Sequence, residues 1–526
     1  MTLGKYRKRR IITGLVVVEI LICFAMMAVV WSGAAVPRFR FFYVADTQAE
    51  ETIQERFSSD GRAATLDLSN VRGEVHIVAQ DGDQFAVKAV KEVWGQNERE
   101  ARAKLQAIEV EMAMEGNVLR VEVHDPEQHT ISVGIVIGSR ANQVNFEVVV
   151  PRQTTVIVGN RDGPVSVQGC AGGVTLVNRY GPVTVEDVTG DIFVKTRDDA
   201  IVVRRSGSKE ATVELHNSYG TITAQQVTAK SLALDGDNGA LGLEDAVVSD
   251  VLVLKTRYGG INVEHVQAGA LNVETRDDNV RLGDVTVSAK MTLANQYGDI
   301  IVRDASAQEL DIGSTNGTLS LDEMDIAGAL TIETRYVEID LNDVRAGQLE
   351  VKGHDKDITV TDVELDGTLD LYTQYGAIQA TRVEATAYTI ETKDDPIVLD
   401  GCQGPVRLHN KYGSITVENA KEVVLDLVTQ DGDISFKGSL SDSADHKIEN
   451  SYGDVTLYLP SDTAVSLVSS TQYGRVHCEF PVLTESNLDD SEKTGSDVDE
   501  LRGTINGGGV ELGIKTHDGD ILINRF

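Results

Sequence analysis

Three pairs of adjacent carboxylates, Asp198-Asp199, Asp277-Asp278 and Asp394-Asp395, are the residues of this chain best suited to chemistry. Two carboxyl groups about 5 to 10 Å apart are what glycoside hydrolysis requires. With Asp237, Asp355, Asp431 and Asp433 they also form a pool of hard oxygen ligands, of which a calcium ion takes about six to eight. A series of tyrosines, Tyr180, Tyr219, Tyr258, Tyr297, Tyr336, Tyr375, Tyr412 and Tyr452, offers flat rings suited to stacking on sugar faces or partner side chains. Both sets recur. Tyr180 to Tyr375 stand 39 residues apart, and the acidic pairs fall between them.

An active site occurs once, so carboxylates that return with the period read as turn residues. Arg197, Arg276 and Lys393 stand beside them as built-in counter-charges, and the Gly-Gly-x-Gly-x-Asp pattern of calcium-binding repeats is absent. His216 and His409 share one position of the repeat about five periods apart, while His265 and His354 fall elsewhere, so no metal site is implied. No Ser/His/Asp, Cys/His or phosphate-loop pattern emerges. The expectation is therefore no catalytic residue, no metal and no cofactor, with a polysaccharide-active hydrolase or lyase as the alternative from another class. For the rings, the simpler reading is that each packs over the turn of the next coil and shields its backbone.

The elements that position these residues follow from the same period. Three residues after each Tyr comes an apolar side chain (Val183, Ile222, Ile261, Ile300, Ile339, Ile378, Ile415), and two further on another (Val185, Ala224, Val263, Val302, Leu341, Ala380, Val417). Alternation of period two rich in β-branched residues marks strands. The acidic turns carry similar flanks, so the structural unit is about 19 to 20 residues and the Tyr period is two of them. Such a unit fits a strand, a turn, a strand and a second bend, and is too short for a helix plus a strand. Successive units stack strand on strand at about 4.8 Å, which is a parallel β-helix. From about Gln153 onward there is room for roughly 18 or 19 coils.

Two residues before each Tyr stands Asn178, Asn217, Thr256, Asn295, Thr334, Thr373, Asn410 or Asn450, side chains that bond neighbouring backbone at a bend. Stacked, they form an Asn/Thr ladder. Gly after Tyr is expected to supply a positive φ. Val337, after Tyr336, breaks that rule and predicts an altered turn.

Outside the repeat, residues 1–10 are a basic tail and residues 11–31 an apolar run interrupted by Glu19. The run is long enough to span a bilayer, and the basic residues before it favour an N-terminus in the cytoplasm with the rest exported. A cleaved signal peptide is the rival reading, since Ser32-Gly33-Ala34 offers a cleavage site. Residues 32–63 read as a linker and 64–150 as a β-rich cap with one helix near Asn97 to Glu109. The β-helix occupies 151–526, with a polar, disordered loop at 483–500 and the repeat resuming over Gly509 to Phe526. The net charge of −34, from 82 acidic and 48 basic residues, excludes a nucleic-acid partner. Cys170 and Cys402 lie nearly six periods apart, too far for a disulfide.

The stretches VVVPRQTTVIVGNRDGPVSVQG and VTLVNRYGPVTVEDVTGDIFVKTRDDAIVV resemble a bacterial adhesin family of unknown function, related to auto-transporter adhesin head repeats. That resemblance, from about Leu66 to Phe526, implies a β-helix and surface attachment; it names no ligand and no functional residue. The reading as a whole is an all-β, single-pass protein of the bacterial cell membrane. Its exported body acts as an adhesin-like binding or spacer module at the cell envelope, meeting a glycan or a surface protein.

Overall fold

The computed structural model describes residues 47–59, 63–126, 141–484 and 499–526. The expected basic tail, the membrane run 11–31, part of the expected cap (residues 127–140) and nearly all of the polar loop lie outside the described residues. No helix among the described residues is long and apolar enough to cross a membrane. Part of the expected linker is a strand, Thr47–Ser58.

The chain divides into two compact units. The smaller comprises Met1–Glu51, Lys91–Glu109 and His124–Gln143. Its described part carries the helix Glu98–Ala107, where Asn97 caps the N-terminus by accepting from the Glu100 amide at 3.0 Å. Ala101 is the helix residue that is buried, and Lys91 pairs with Glu51 at 2.9 Å.

The larger unit is an all-β parallel solenoid. About 16 turns follow one another in chain order, from Thr155–Asp162 to Val455–Leu459. Each turn supplies one strand to a long ladder, as in Val174–Tyr180 against Ile192–Thr196, and one to a second ladder, as in Val183–Glu186 against Ile201–Arg204. A third, shorter ladder passes through Val248, Ala268 and Val287. Alternate side chains point inward, and Val183, Val185, Ile222, Ala224, Val263 and Ile300 are all essentially inaccessible. In the second ladder Ile222, Leu241, Ile261, Val280 and Ile300 are successive partners, alternately 19 and 20 residues apart, which is the origin of the 39-residue period.

After the second ladder, eleven successive coils turn through one non-glycine residue in the left-handed region: Asp187, Arg205, Gln226, Asp245, His265, Asp284, Asp304, Glu323, Asp343, Asp362 and Arg382, with φ of 46 to 56°. Asp and Asn enter this region at less cost than other non-glycine residues. Their side chains also pair from coil to coil. Asp187 receives Arg205 at 3.0 Å and Asp362 receives Arg382 at 2.5 Å, and in both cases the arginine holds the carboxyl below its ordinary range.

Both ends depart from chain order. Residues 64–150 do not form a separate cap, since two of their strand pairs are coils of the solenoid. Thr65–Arg72 and Val75–Gln80 lie between Val118–His124 with Gln143–Pro151 on one side and Thr155–Asp162 with Val165–Gln168 on the other. The first coil in sequence is therefore the second in space. At the far end, Glu511–Lys515 and Ile521–Arg525 resume the repeat, but they do so between two earlier coils. They pair in parallel with His446–Glu449 and Val455–Leu459 on one side and with Val465–Ser470 and Val476–Cys478 on the other. The strand Glu500–Ile505 then runs antiparallel along Val465–Ser470. It covers a ladder edge that would otherwise recruit other strands.

Candidate functional site

The tyrosine edge is built from its buried side outward. At the bend that ends most long-ladder strands, an Asn or Thr turns inward, and most of these bond backbone of their own or the preceding coil; Gly236, Ser314 and Gly353 take the place in three coils, and the Thr196 and Thr334 hydroxyls have no hydrogen-bond partner. Asn217 Nδ2 donates to the Asp199 carbonyl at 2.7 Å while its Oδ1 accepts from the Gly220 amide at 3.0 Å. Asn295, Asn410 and Asn450 repeat the first bond at 3.0, 2.7 and 2.8 Å. In intervening coils Thr275, Thr392 and Thr429 hydroxyls donate likewise at 3.0 to 3.2 Å. The expected Asn/Thr ladder thus exists, and it extends to both kinds of coil.

With the Asn held inside, the next residues bulge outward. Glycine follows Tyr chiefly because the adjacent coil passes so close: a Cβ on Gly220 would lie 2.4 Å from the Asp199 carbonyl oxygen. Positive φ, expected at every such position, occurs at Gly181 (φ 117°), whereas Gly220 has none. At Tyr336-Val337 the chain avoids the bulge altogether. Val337 is buried in the core, and one strand runs from Glu309 to Lys352 straight through this position.

The rings stand on the outside of this edge. Tyr219, Tyr258, Tyr297, Tyr336, Tyr375, Tyr412, Tyr452 and Tyr473 are 38 to 70% exposed, so the turns beneath do not absorb them, and Tyr180 is half-buried. Between successive tyrosine turns lies one polar turn, acidic except at Ser314 to Gly317, joined by backbone bonds such as Tyr219 N–H to the Arg197 carbonyl at 2.8 Å and Tyr412 N–H to that of Lys393 at 2.8 Å. Rings on every second coil are separated by about 9.6 Å.

Cations and imidazoles of the edge lie against the rings. The Arg197 guanidinium sits between Tyr180 and Tyr219, 5.9 and 5.8 Å from their centroids. Lys393 lies 5.3 Å from Tyr375 and Lys411 4.8 Å from Tyr412. His354 meets Tyr375 edge-on at 5.5 Å, and His517 meets Tyr473 at 5.1 Å. These distances are within cation–π or aromatic range. Adjacency in the sequence pairs Arg197 and Lys393 with the acids alone, although their place in the repeat, one coil from each Tyr, also puts them beside the rings.

Most carboxylates of the same edge are occupied by structure, those of the pairs Asp198-Asp199 and Asp277-Asp278 among them. Asp199 Oδ2 accepts from the Gly181 amide one coil away at 2.8 Å, and Asp278 Oδ1 from the Asn279 amide at 2.7 Å. Arg197 lies 3.5 Å from Asp198, and Arg276 lies 3.6 Å from Asp277. Asp357, Asp299 and Asp520 bind backbone amides of the adjacent coil in the same way, at 2.8 to 3.0 Å. Among the described residues no group of three or more His, Cys, Asp or Glu side chains is placed to hold a metal ion.

Nucleophiles are equally withdrawn. Cys170, Cys402 and Cys478 are free and buried. Burial pushes the Cys170 thiol up to about 11 and that of Cys402 to about 12, which keeps both protonated. A hollow of about 1010 Å³ beside Cys402 is lined by Arg382, Asp362, Arg345 and Glu364, which are already paired with one another across coils. Tyr388, also at this hollow, spends its hydroxyl on the Val383 carbonyl at 2.7 Å. What the edge can do is bind: it presents evenly spaced, half-open aromatic faces among fixed charges.

Comparison with known proteins gives one family match. The model described as Toastrack DUF4097 matches residues 63–282, 219–343 and 332–524, in three overlapping segments as expected of a repeat. No curated protein and no solved structure matches the chain.

Proposed function

The chain belongs to the Toastrack DUF4097 family, and on that premise we propose that it is a non-catalytic binding or scaffold module of the cell envelope, reading an elongated ligand along its tyrosine edge. The apolar run 11–31 holds it in the membrane as a single-pass anchor, with the solenoid outside the cytoplasm. The ligand class that fits best is an envelope glycan, whose successive sugar faces stack on flat rings; this is the adhesin-like role that the sequence suggests. The observation that carries the proposal is the periodic, half-exposed aromatic row, spaced at about two coils and built on a rigid ladder.

A polysaccharide-active enzyme is not supported: the acidic residues recur with the repeat as turn residues, and the pairs Asp198-Asp199 and Asp277-Asp278 are tied to neighbouring amides and arginines. The test is a screen of insoluble envelope polysaccharides. Retention of the protein with no release of soluble sugar is expected. Release of fragments that Asp277→Asn abolishes would replace this reading with the enzyme.

A further inference from the structure

The inserted coil Glu511–Lys515 with Ile521–Arg525 fills a slot between two earlier coils and reaches it through a glycine-rich link. Leu512 and Ile514 sit in register between His446 and Ile448 on one side and Leu467 and Ser469 on the other. Ile521 and Ile523 sit between Val455 and Leu457 on one side and Val476 and Cys478 on the other. All four are buried. The backbone is bonded on both flanks: Val455 N–H donates to the Asp520 carbonyl and Ile521 N–H to that of Arg475, each at 2.8 Å.

The slot also bonds its occupant through side chains. Asp454 Oδ1 accepts from the Asp520 amide, Asp520 Oδ1 from the Arg475 amide and Asp445 Oδ1 from the Glu511 amide, each at 2.8 Å. A Cβ on Gly519 would lie 1.9 Å from the Gly453 carbonyl oxygen. Any other side chain at that point collides with the coil beside it. An occupant must therefore carry glycine at this point, an acid after it and apolar alternation, which this segment supplies.

What leads into the slot is Asn506-Gly507-Gly508-Gly509. Asn506, Gly507 and Gly508 have φ of 49, 90 and 81°, three successive residues in the left-handed region. The turn is fastened by Asn506 Nδ2, which donates to the Ser461 and Thr463 carbonyls at 3.1 and 2.8 Å, by Ser466 Oγ, which donates to that of Gly509 at 2.9 Å, and by the Gly508 amide, which donates to the Ile505 carbonyl at 3.0 Å. Glycine-rich links at element ends are where hinges absorb large dihedral changes, and an identical element exchanged through a hinge is a low-cost route to a dimer.

We propose that the slot is a strand-exchange site for a second copy of this chain: the coil Glu511–Arg525 of one copy occupies the slot of another, with Asn506 to Gly509 as the hinge. The identical segment of a second copy meets every requirement of the slot. The exchange leaves each ladder bond in place and changes only the dihedral angles of the hinge.

Thr456 and Leu522 are outward-facing ladder partners, and adjacent strands lie about 4.8 Å apart, inside the Cα window for a disulfide. In the full chain, the double variant Thr456→Cys/Leu522→Cys is oxidised first. Closure within the slot is expected, and failure to close would overturn the placement on which the exchange rests.

Single variants Thr456→Cys and Leu522→Cys are then mixed, incubated in mild urea, returned to buffer and oxidised, with wild type alongside to set the background from Cys23. A mixed species of twice the chain mass, lost on reduction, is expected. Gly507→Ala adds left-handed strain to the closed turn, and it should raise that species about fivefold. Quantitative closure of the double variant with no mixed species above background overturns the proposal.

Discussion

Replacing Asn217 by Ala removes a buried side chain that satisfies backbone on two coils at once. Its Nδ2 serves the Asp199 carbonyl at 2.7 Å and its Oδ1 serves the Gly220 amide at 3.0 Å. Other contacts of this side chain are redundant, because Thr221 O already accepts from Ile201 N–H and Tyr219 N–H already donates to Arg197 O. Two backbone groups are thus orphaned, each at about 1–3 kcal/mol. Relief of the amide's own burial offsets part of that, so Asn217→Ala should cost about 2–4 kcal/mol. Asn217→Thr keeps the bond to the carbonyl, as Thr275 and Thr392 do, and should lose about 1 kcal/mol.

Repeat arrays do not always unfold in one step, so a melting temperature alone is a poor readout. Hydrogen exchange of peptides covering residues 192–222 reads the local opening, where 2 kcal/mol is a roughly 30-fold faster exchange. Exchange unchanged in Asn217→Ala, or an equal effect from Thr and Ala, would refute the ladder as the source of edge stability.

Three further outcomes follow from the same structure. His446 is buried and neutral by geometry, with Nδ1 accepting from the Leu425 amide at 3.3 Å and Nε2 donating to the Ser441 carbonyl at 2.9 Å; burial lowers its proton affinity. The unfolded chain therefore takes up a proton near the ordinary value of about 6.5 before the folded one does, so stability should fall as pH drops below that value. His446→Gln should flatten that slope in urea titrations between pH 7 and pH 5. At the left-handed corner, Glu323→Gly should be neutral or stabilising, while Glu323→Val should cost about 1–2 kcal/mol by denaturant titration. Disruption of the ring-to-cation contacts by Arg197→Ala should lower stability by under about 1 kcal/mol, since both groups are exposed.

The period of the tyrosines alone makes the coil length, the inward residues and the Asn/Thr ladder legible. Each depends on local chemistry that a repeat writes out many times. Val337 announces its altered turn for the same reason. The order of coils at the two ends is not legible, because Leu512 and Ile514 carry the same apolar alternation as every other coil. That pattern sets which face is buried and leaves open which coil lies next to it. The need for glycine after Tyr is visible, but its cause, the close passage of the neighbouring backbone, is a distance between coils that sequence does not encode. The left-handed corner is written as a polar residue just before an inward apolar one, and it is recognisable once Asp187 before Val188, Asp304 before Ala305 and Asp343 before Val344 are seen to share it.

The binding role rests on the rings. The decisive measurement is the affinity for a captured envelope glycan of wild type and of Tyr219→Ala/Tyr258→Ala/Tyr297→Ala, with thermal stability and hydrogen exchange recorded in parallel. At about 0.5–1.5 kcal/mol for each aromatic contact, three lost rings should weaken binding at least about tenfold, with hydrogen exchange of the edge and the melting temperature changed only slightly. Equal affinity of the two proteins, or a loss that merely tracks lower stability, would make the tyrosine edge a part of the scaffold and not its binding surface.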